Sequence, residues 1–138
     1  MTEQFELGQR VLAAQPFSVL VGAELTVFQP GDAELQVPVR EALTQQNGFV
    51  HGGVLSYLAD NALTFAGGSV LGPAVVTAEY KINFLRPAKG ERLIARATVI
   101  HGGKTQAVCR CDIFAVTGQG EKLCATAQGT IARLGQAG

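Results

Sequence analysis

The stretch HGGVLSYLADNALTFAGG, residues 51–68, decides how this chain is read. Val54, Leu55, Leu58, Ala62, Leu63 and Ala66 recur at spacings of three and four, the period of one face of an α-helix. The other face carries Tyr57, Ala59 and Phe65 and is also apolar, so the helix is expected to be buried on most sides. Gly67 and Gly68 are its expected stop. One charged residue breaks the pattern. Asp60 falls in mid-helix among Leu58, Ala59, Ala62 and Leu63, where a carboxylate is costly unless it is paired or used.

Outward from this helix the chain reads as strands. Downstream, residues 74–84 form one candidate, closed by Arg86-Pro87, and residues 91–100 another. Gly102-Gly103 makes a turn. In residues 105–116, Ala107, Cys109, Cys111, Ile113 and Ala115 fall on one face and Gln106, Arg110 and Asp112 on the other, with Val108 and Phe114 as exceptions. A TGQGEK turn leads to residues 123–131, which alternate similarly. Upstream, residues 19–28 and 33–39 read as two strands around Pro30-Gly31-Asp32. Ala33, Leu35, Val37 and Val39 share a face, and Pro38 indicates a strand end or edge. Residues 41–50 are a polar connector. Phe5, Leu7, Val11 and Leu12 suggest a short helix over residues 1–16, ended by Pro16. Consecutive strands joined by short turns imply an antiparallel sheet, and one long buried helix must lie against it. The class is α+β.

The chain has 138 residues, room for a single domain over 1–138 with the N-terminal helix packed on it. Lys plus Arg and Asp plus Glu are 11 each, so a broadly basic nucleic-acid surface is disfavoured. Charged residues make up only 16%, which hints that some surface is covered in an oligomer. No apolar run is long enough to span a membrane, and the acidic first residues are unlike a secretory signal. Three cysteines without CxxC spacing fit reduced thiols in a cytoplasmic protein. No metal site is expected, because neither histidine has a cysteine partner by spacing. A Walker loop and a Rossmann fingerprint are both missing.

The chemistry concentrates around the helix start. Either Asp60 is a base, or it caps a local bend or touches solvent. Ahead of it, His51-Gly52-Gly53 brings backbone close to a ligand and aims the amide of Gly52 or Gly53 at an oxyanion. The bland alternative is a flexible turn with a structural His51. Nine helical residues separate His51 from Asp60 by about 13 Å, so the two do not meet within one chain. A second HGG, residues 101–103, precedes strand and reads as a hairpin turn.

QQNGFVHGGVLSYLADNA resembles the HGG-x(6)-Asp signature of hotdog-fold acyl-CoA thioesterases, closest to the phenylacetate-degradation (PaaI-like) group. The resemblance extends through VVTAEYKINFLRPAKGERLIARATVIHGGKT. It implies a hotdog fold, a curved antiparallel sheet wrapped around one long buried helix. It also implies dimers that pair their sheets edge to edge, active sites at the dimer interface, and commonly a homotetramer. Carried over residue by residue, Asp60 is the catalytic carboxylate, Gly52 supplies the amide that polarises the thioester carbonyl, and His51 supports the loop. Gln45, or its rival Asn47, orients water or thioester. Thr77 falls where relatives carry a Ser or Thr near the carboxylate of the facing subunit. Arg86, Lys89 and Lys104 are candidates to meet the phosphates of coenzyme A. The implied activity is hydrolysis of an aryl or medium-chain acyl-CoA to acid and coenzyme A, which enters as part of the substrate, with no other cofactor. The competing readings are a hotdog enoyl-thioester hydratase or dehydratase, and a non-catalytic acyl-CoA binding protein.

Overall fold

The computed structural model describes residues 2–135. The chain runs α1 (Glu3–Ala13), α2 (Pro16–Val21), β1 (Glu24–Gln29), β2 (Asp32–Pro38), a 3-10 turn (Glu41–Leu43), α3 (Gly52–Leu71), β3 (Val75–Phe84), β4 (Arg92–Gly102), β5 (Gln106–Thr117) and β6 (Gly120–Arg133). The six strands form one sheet in the order β1-β2-β4-β5-β6-β3, and every neighbouring pair is antiparallel. α3 lies across its inner face, with Leu58, Ala59, Ala62, Leu63 and Ala66 fully buried against Leu35, Leu93, Ile113 and Ile131. The α+β expectation therefore holds, and the alternating residues of β5 point as read, with Cys109, Cys111 and Ile113 inward. Phe114, an exception in that pattern, lies on the outer face beneath the Arg96 guanidinium, 5.1 Å from its ring centre.

Three expectations are corrected. Residues 19–28 are not one strand: Pro16–Val21 is helical and the strand starts at Glu24. Pro16 opens that helix at a position where its missing N–H costs nothing, and Gly22 at φ 88° closes it. Arg40 adds a cap by donating from its guanidinium to the carbonyls of Leu20 and Val21. Next, Gly67 and Gly68 do not stop α3, which continues to Leu71 and ends at Gly72, φ 101°. Gly67 is there for closeness: a Cβ on it would lie 2.6 Å from the Ile131 Cβ. Last, the second HGG is only partly a turn. His101 and Gly102 finish β4, and the connection starts at Gly103, whose N–H donates to the Gln106 carbonyl at 2.8 Å.

β3 matters most for the site. It is an end strand, paired with β6 alone, ten residues long with its other edge open. Thr77 pairs with Ile131 and Glu79 with Thr130, so Ala78 is an extra residue, a β-bulge. The bulge lets Thr77 and Tyr80 both face α3, which strict alternation forbids. Gly129 gives Tyr80 its room, since a Cβ there would lie 2.6 Å from the Tyr80 Cβ. No helix among the described residues is long and apolar enough to cross a membrane.

Candidate active site

His51 is the N-cap of α3. Its backbone is extended and its imidazole Nδ1 accepts the Gly53 N–H at 2.8 Å. The His51 carbonyl accepts the Val54 N–H at 2.9 Å. Of the first three amides of the helix, that leaves Gly52 N–H without a partner among the described residues. It sits at the positive end of a 20-residue helix. The choice between Gly52 and Gly53 as free donor, open in the sequence, falls to Gly52. His51 is thus engaged in holding the turn.

Gly52 lines a depression together with Gln45, Phe49, Phe84 and Arg86. Gln45 is held by its loop, because its Oε1 accepts the Asn47 N–H and its own N–H donates to the Phe49 carbonyl at 2.8 Å. Asn47 is exposed and does not line the depression. Arg86 also borders a neighbouring hollow with Lys89 and Lys122. Lys104 does not join them: it follows the far end of β4, whereas Lys89 precedes its start. Eleven residues of strand separate the two ends by roughly 33 Å of chain.

Asp60 lies elsewhere. It is half-buried rather than enclosed, in a depression shared with Phe17, Tyr57, Thr64, Val76 and Thr77. Thr77 Oγ1 donates to Asp60 Oδ1 at 2.6 Å. Thr64 Oγ1 donates to the Asp60 carbonyl at 2.7 Å and stands 2.8 Å from Thr77 Oγ1. Thr77 therefore holds the carboxylate of its own chain, where the resemblance placed it by that of the facing subunit. Sequence reasoning missed Thr64. Its spacing of four from Asp60 on one helix was the available signal. It also missed the Gln15, Ser18, Tyr57 and Asn61 cluster, which joins α2 to α3 through bonds between residues some 40 positions apart.

The two depressions lie at different levels of the helix, one at its start and one at its middle. Gly52 and Asp60 are eight residues apart, about 12 Å of rise. The single chain thus presents a free backbone N–H in one place and a tethered carboxylate in another. The three cysteines take no part. All are buried in the sheet, and burial pushes Cys109 up to about 11 and, with Asp112 adding to it, Cys111 up to about 12. Such thiols are poor nucleophiles.

Residues 47–122, more than half of the chain, match the sequence model of the Thioesterase superfamily. A thioesterase family protein of Silicibacter pomeroyi is 38% identical and superposes with a TM-score of 0.87, covering 91% of this chain and 93% of its own. The E. coli PaaI protein from the phenylacetic acid degradation operon is 28% identical, with a TM-score of 0.85 over 96% of this chain and 94% of its own. The 1,4-dihydroxy-2-naphthoyl-CoA hydrolase of Listeria monocytogenes is 32% identical over 114 residues, 81% of this chain and 90% of the relative. The sheet wrapped on α3 is accordingly the hotdog fold, and the chain belongs to the thioesterase superfamily, as a PaaI-like hydrolase.

Proposed function

We propose that this protein hydrolyses acyl-CoA thioesters, with aryl or medium-chain acyl groups, to the free acid and coenzyme A. The observation that carries the reading is the division of the site: a free Gly52 amide beside Gln45 in one depression, and a Thr77-tethered Asp60 in another. A second copy completes it. The open edge of β3 has Thr77 near its start and Phe84, which neighbours Gly52, at its end. Antiparallel pairing of two such edges about a twofold axis sets the start of one strand against the end of the other. Asp60 of one chain then faces Gly52 and Gln45 of its partner. Such dimers further assembling to a homotetramer would cover more of the sparsely charged surface.

In that arrangement the thioester carbonyl accepts from the Gly52 N–H, which stabilises the developing oxyanion. Asp60 takes a proton from water as water attacks the carbonyl carbon, or attacks it first to give an anhydride that water opens. The C–S bond breaks and coenzyme A leaves as thiolate, to be protonated to the thiol. Gln45 orients water or thioester, with Asn47 holding its amide oxygen. Arg86 and Lys89 flank the Gly52 side and suit the phosphates of coenzyme A. No other cofactor enters.

The test is release of free thiol from a panel of acyl-CoAs, by the wild type and by Asp60→Asn. Asp60→Asn keeps the shape and the Thr77 contact and is expected to lose most turnover with its assembly unchanged. Near-normal turnover in a folded Asp60→Asn would overturn the role of Asp60. Hydration of an enoyl-CoA without thiol release, or binding without any reaction, would replace hydrolysis by the competing readings.

A further inference from the structure

A cleft of about 260 Å³ runs between α1, β1 and the C-terminal half of α3. Its walls are Leu7, Val11, Phe28, Phe65 and Val75. No Asp, Glu, Lys or Arg lines it. α1 closes tightly on β1 at one point only a glycine allows: a Cβ on Gly8 would lie 2.5 Å from Phe28 Cδ2 and 2.7 Å from Leu25 Cδ2. That contact keeps α1 seated while Leu7 and Val11, on either side, border the cleft. Both remain about two-fifths exposed, at 40% and 39%, with part of their surface unmet by protein.

One end of the cleft adjoins Asp60. Gln15, Asn61, Thr64 and Val75 line both the cleft and the Asp60 depression. This end is polar and rigidly held. Ser18 Oγ donates to Gln15 Oε1 at 2.6 Å, Tyr57 OH donates to Ser18 Oγ at 2.6 Å, and Asn61 Nδ2 donates to Tyr57 OH at 3.0 Å and Gln15 Oε1 at 3.1 Å. At the other end Gln4 Nε2 donates to the Ser69 carbonyl at 3.1 Å, and Gly72 and Pro73 line the cleft beyond it. Asn61 and Ser69 are eight residues apart on α3, so this wall of the cleft spans roughly 12 Å between them.

We infer that this cleft receives the acyl group of the thioester and that Leu7 and Val11 of α1 set which acyl groups fit. The inference rests on the reading of Asp60 as the hydrolytic carboxylate. An uncharged, largely apolar space with a polar mouth suits a hydrocarbon whose only polar group, the thioester, stays at the mouth beside Asp60. The same lack of charge excludes the phosphates of coenzyme A. A 150 Å³ apolar cavity holds benzene. A space of about 260 Å³ holds a ring with a short arm or a medium straight chain.

The test compares kcat/KM for acetyl-, hexanoyl- and phenylacetyl-CoA in wild type, Val11→Phe, Leu7→Phe and Val11→Ala. The two Phe variants fill the cleft and are expected to lose about tenfold or more on hexanoyl- and phenylacetyl-CoA while acetyl-CoA changes less than about twofold. Val11→Ala crowds nothing and is expected to shift preference toward longer acyl groups. Equal losses on all three substrates, or no change on any, would overturn the inference while leaving hydrolysis standing. If the wild type releases thiol from none of them, the hydrolytic reading falls separately. The cleft is then judged by methyl NMR of Leu7 and Val11 with free hexanoate and acetate. A shift with hexanoate alone supports an acyl cleft, and no shift overturns it.

Discussion

At Gly52 and Gly53, two neighbouring glycines carry opposite constraints. A Cβ on Gly52 would meet Phe84 at 3.6 Å, an ordinary contact, whereas one on Gly53 would lie 2.9 Å from His51 Nδ1 and displace the cap. Gly52 is also the first residue of α3, where proline is favoured, and His51 at φ −61° and ψ 135° already has the extended backbone that proline demands of its predecessor. Gly52→Pro should therefore fold while deleting the donor. Its turnover is expected to fall about a hundredfold or more, the 2.7–4 kcal/mol typical of one oxyanion donor, with Gly52→Ala far less affected. Circular dichroism checks the fold, and full activity in Gly52→Pro would remove the oxyanion role. Gly102→Ala, in the second HGG, should spare turnover, since its φ is not positive and a Cβ makes ordinary contacts with Val70 at 3.5 Å and Val99 at 3.8 Å. The buried thiols carry a pH prediction. Cys109 and Cys111 are raised from an ordinary 9.0 to about 11 and about 12, so the folded state holds their protons more tightly than the unfolded one. Their contribution to stability is full below about 9 and is lost as pH rises through 11–12. The unfolding temperature should fall over that window. A thiol reagent at pH 8 should label the native protein slowly and the urea-unfolded protein fast.

At the level of elements, α3 and β6 meet through Gly67, and this contact separates two glycines that look alike in sequence. Gly67→Ala forces a methyl to within 2.6 Å of Ile131 and should destabilise by about 1–3 kcal/mol, only partly offset by better helix propensity. Gly68→Ala meets Val75 Cγ2 at 3.4 Å and should gain about 0.5–1 kcal/mol. Urea unfolding of the pair measures the difference, and equal effects would show that packing against Ile131 does not set the helix-to-sheet distance. On the outer face, Arg96 joins β2 to the start of β6 through Glu34 at 2.9 Å and Glu121 at 2.7 Å. Desolvation pushes the Glu34 carboxyl up, but bonds from Thr26, Arg96 and Gln36 outweigh it and leave the group below the usual carboxylate range. Both pairs are partly solvated, so they guide register more than they stabilise.

At the level of the whole molecule, the open edge of β3 is the feature that most needs a partner. A ten-residue edge with exposed Val76 and Phe84 is a template for pairing unless something covers it. Phe17, Val19 and Leu20 of α2 add exposed apolar surface, and Phe17 borders Asp60. Sedimentation is expected to show at least a dimer at assay concentration, and an active monomer would sink the divided site. Subunit mixing is the sharper measurement. Asp60→Asn and Gly52→Pro are each expected to be nearly inactive alone. Co-refolded in equal amounts, they should recover about a quarter of wild-type turnover, because half the dimers are hybrids with one intact site of two. No recovery would place both groups in one chain.

The local order of the chain was legible in the sequence where one period ruled. The 3.6 period of residues 54–66 and the alternation of residues 105–116 and 123–131 specified a buried helix and an antiparallel sheet, because burial selects apolar residues at the spacing the backbone imposes. The HGG before the helix and the lone charge within it marked the candidate site, because a glycine pair and a carboxylate among apolar residues are hard to keep without use, although Asp60 proves half-buried rather than enclosed. Tertiary structure alone decided the rest. Residues 19–28 read as one strand, and only the Pro16 start, the Gly22 stop and the Arg40 cap put residues 19–21 in a helix instead. Gly67 reads as a stop until Ile131 is seen across from it. The bulge at Ala78, the tether from Thr77 to Asp60, the idle amide of Gly52 and the cleft under α1 all depend on residues distant in the chain arriving at one place. Sequence period records which side of an element is buried, whereas a site is made by which elements meet, and that is settled only when they pack.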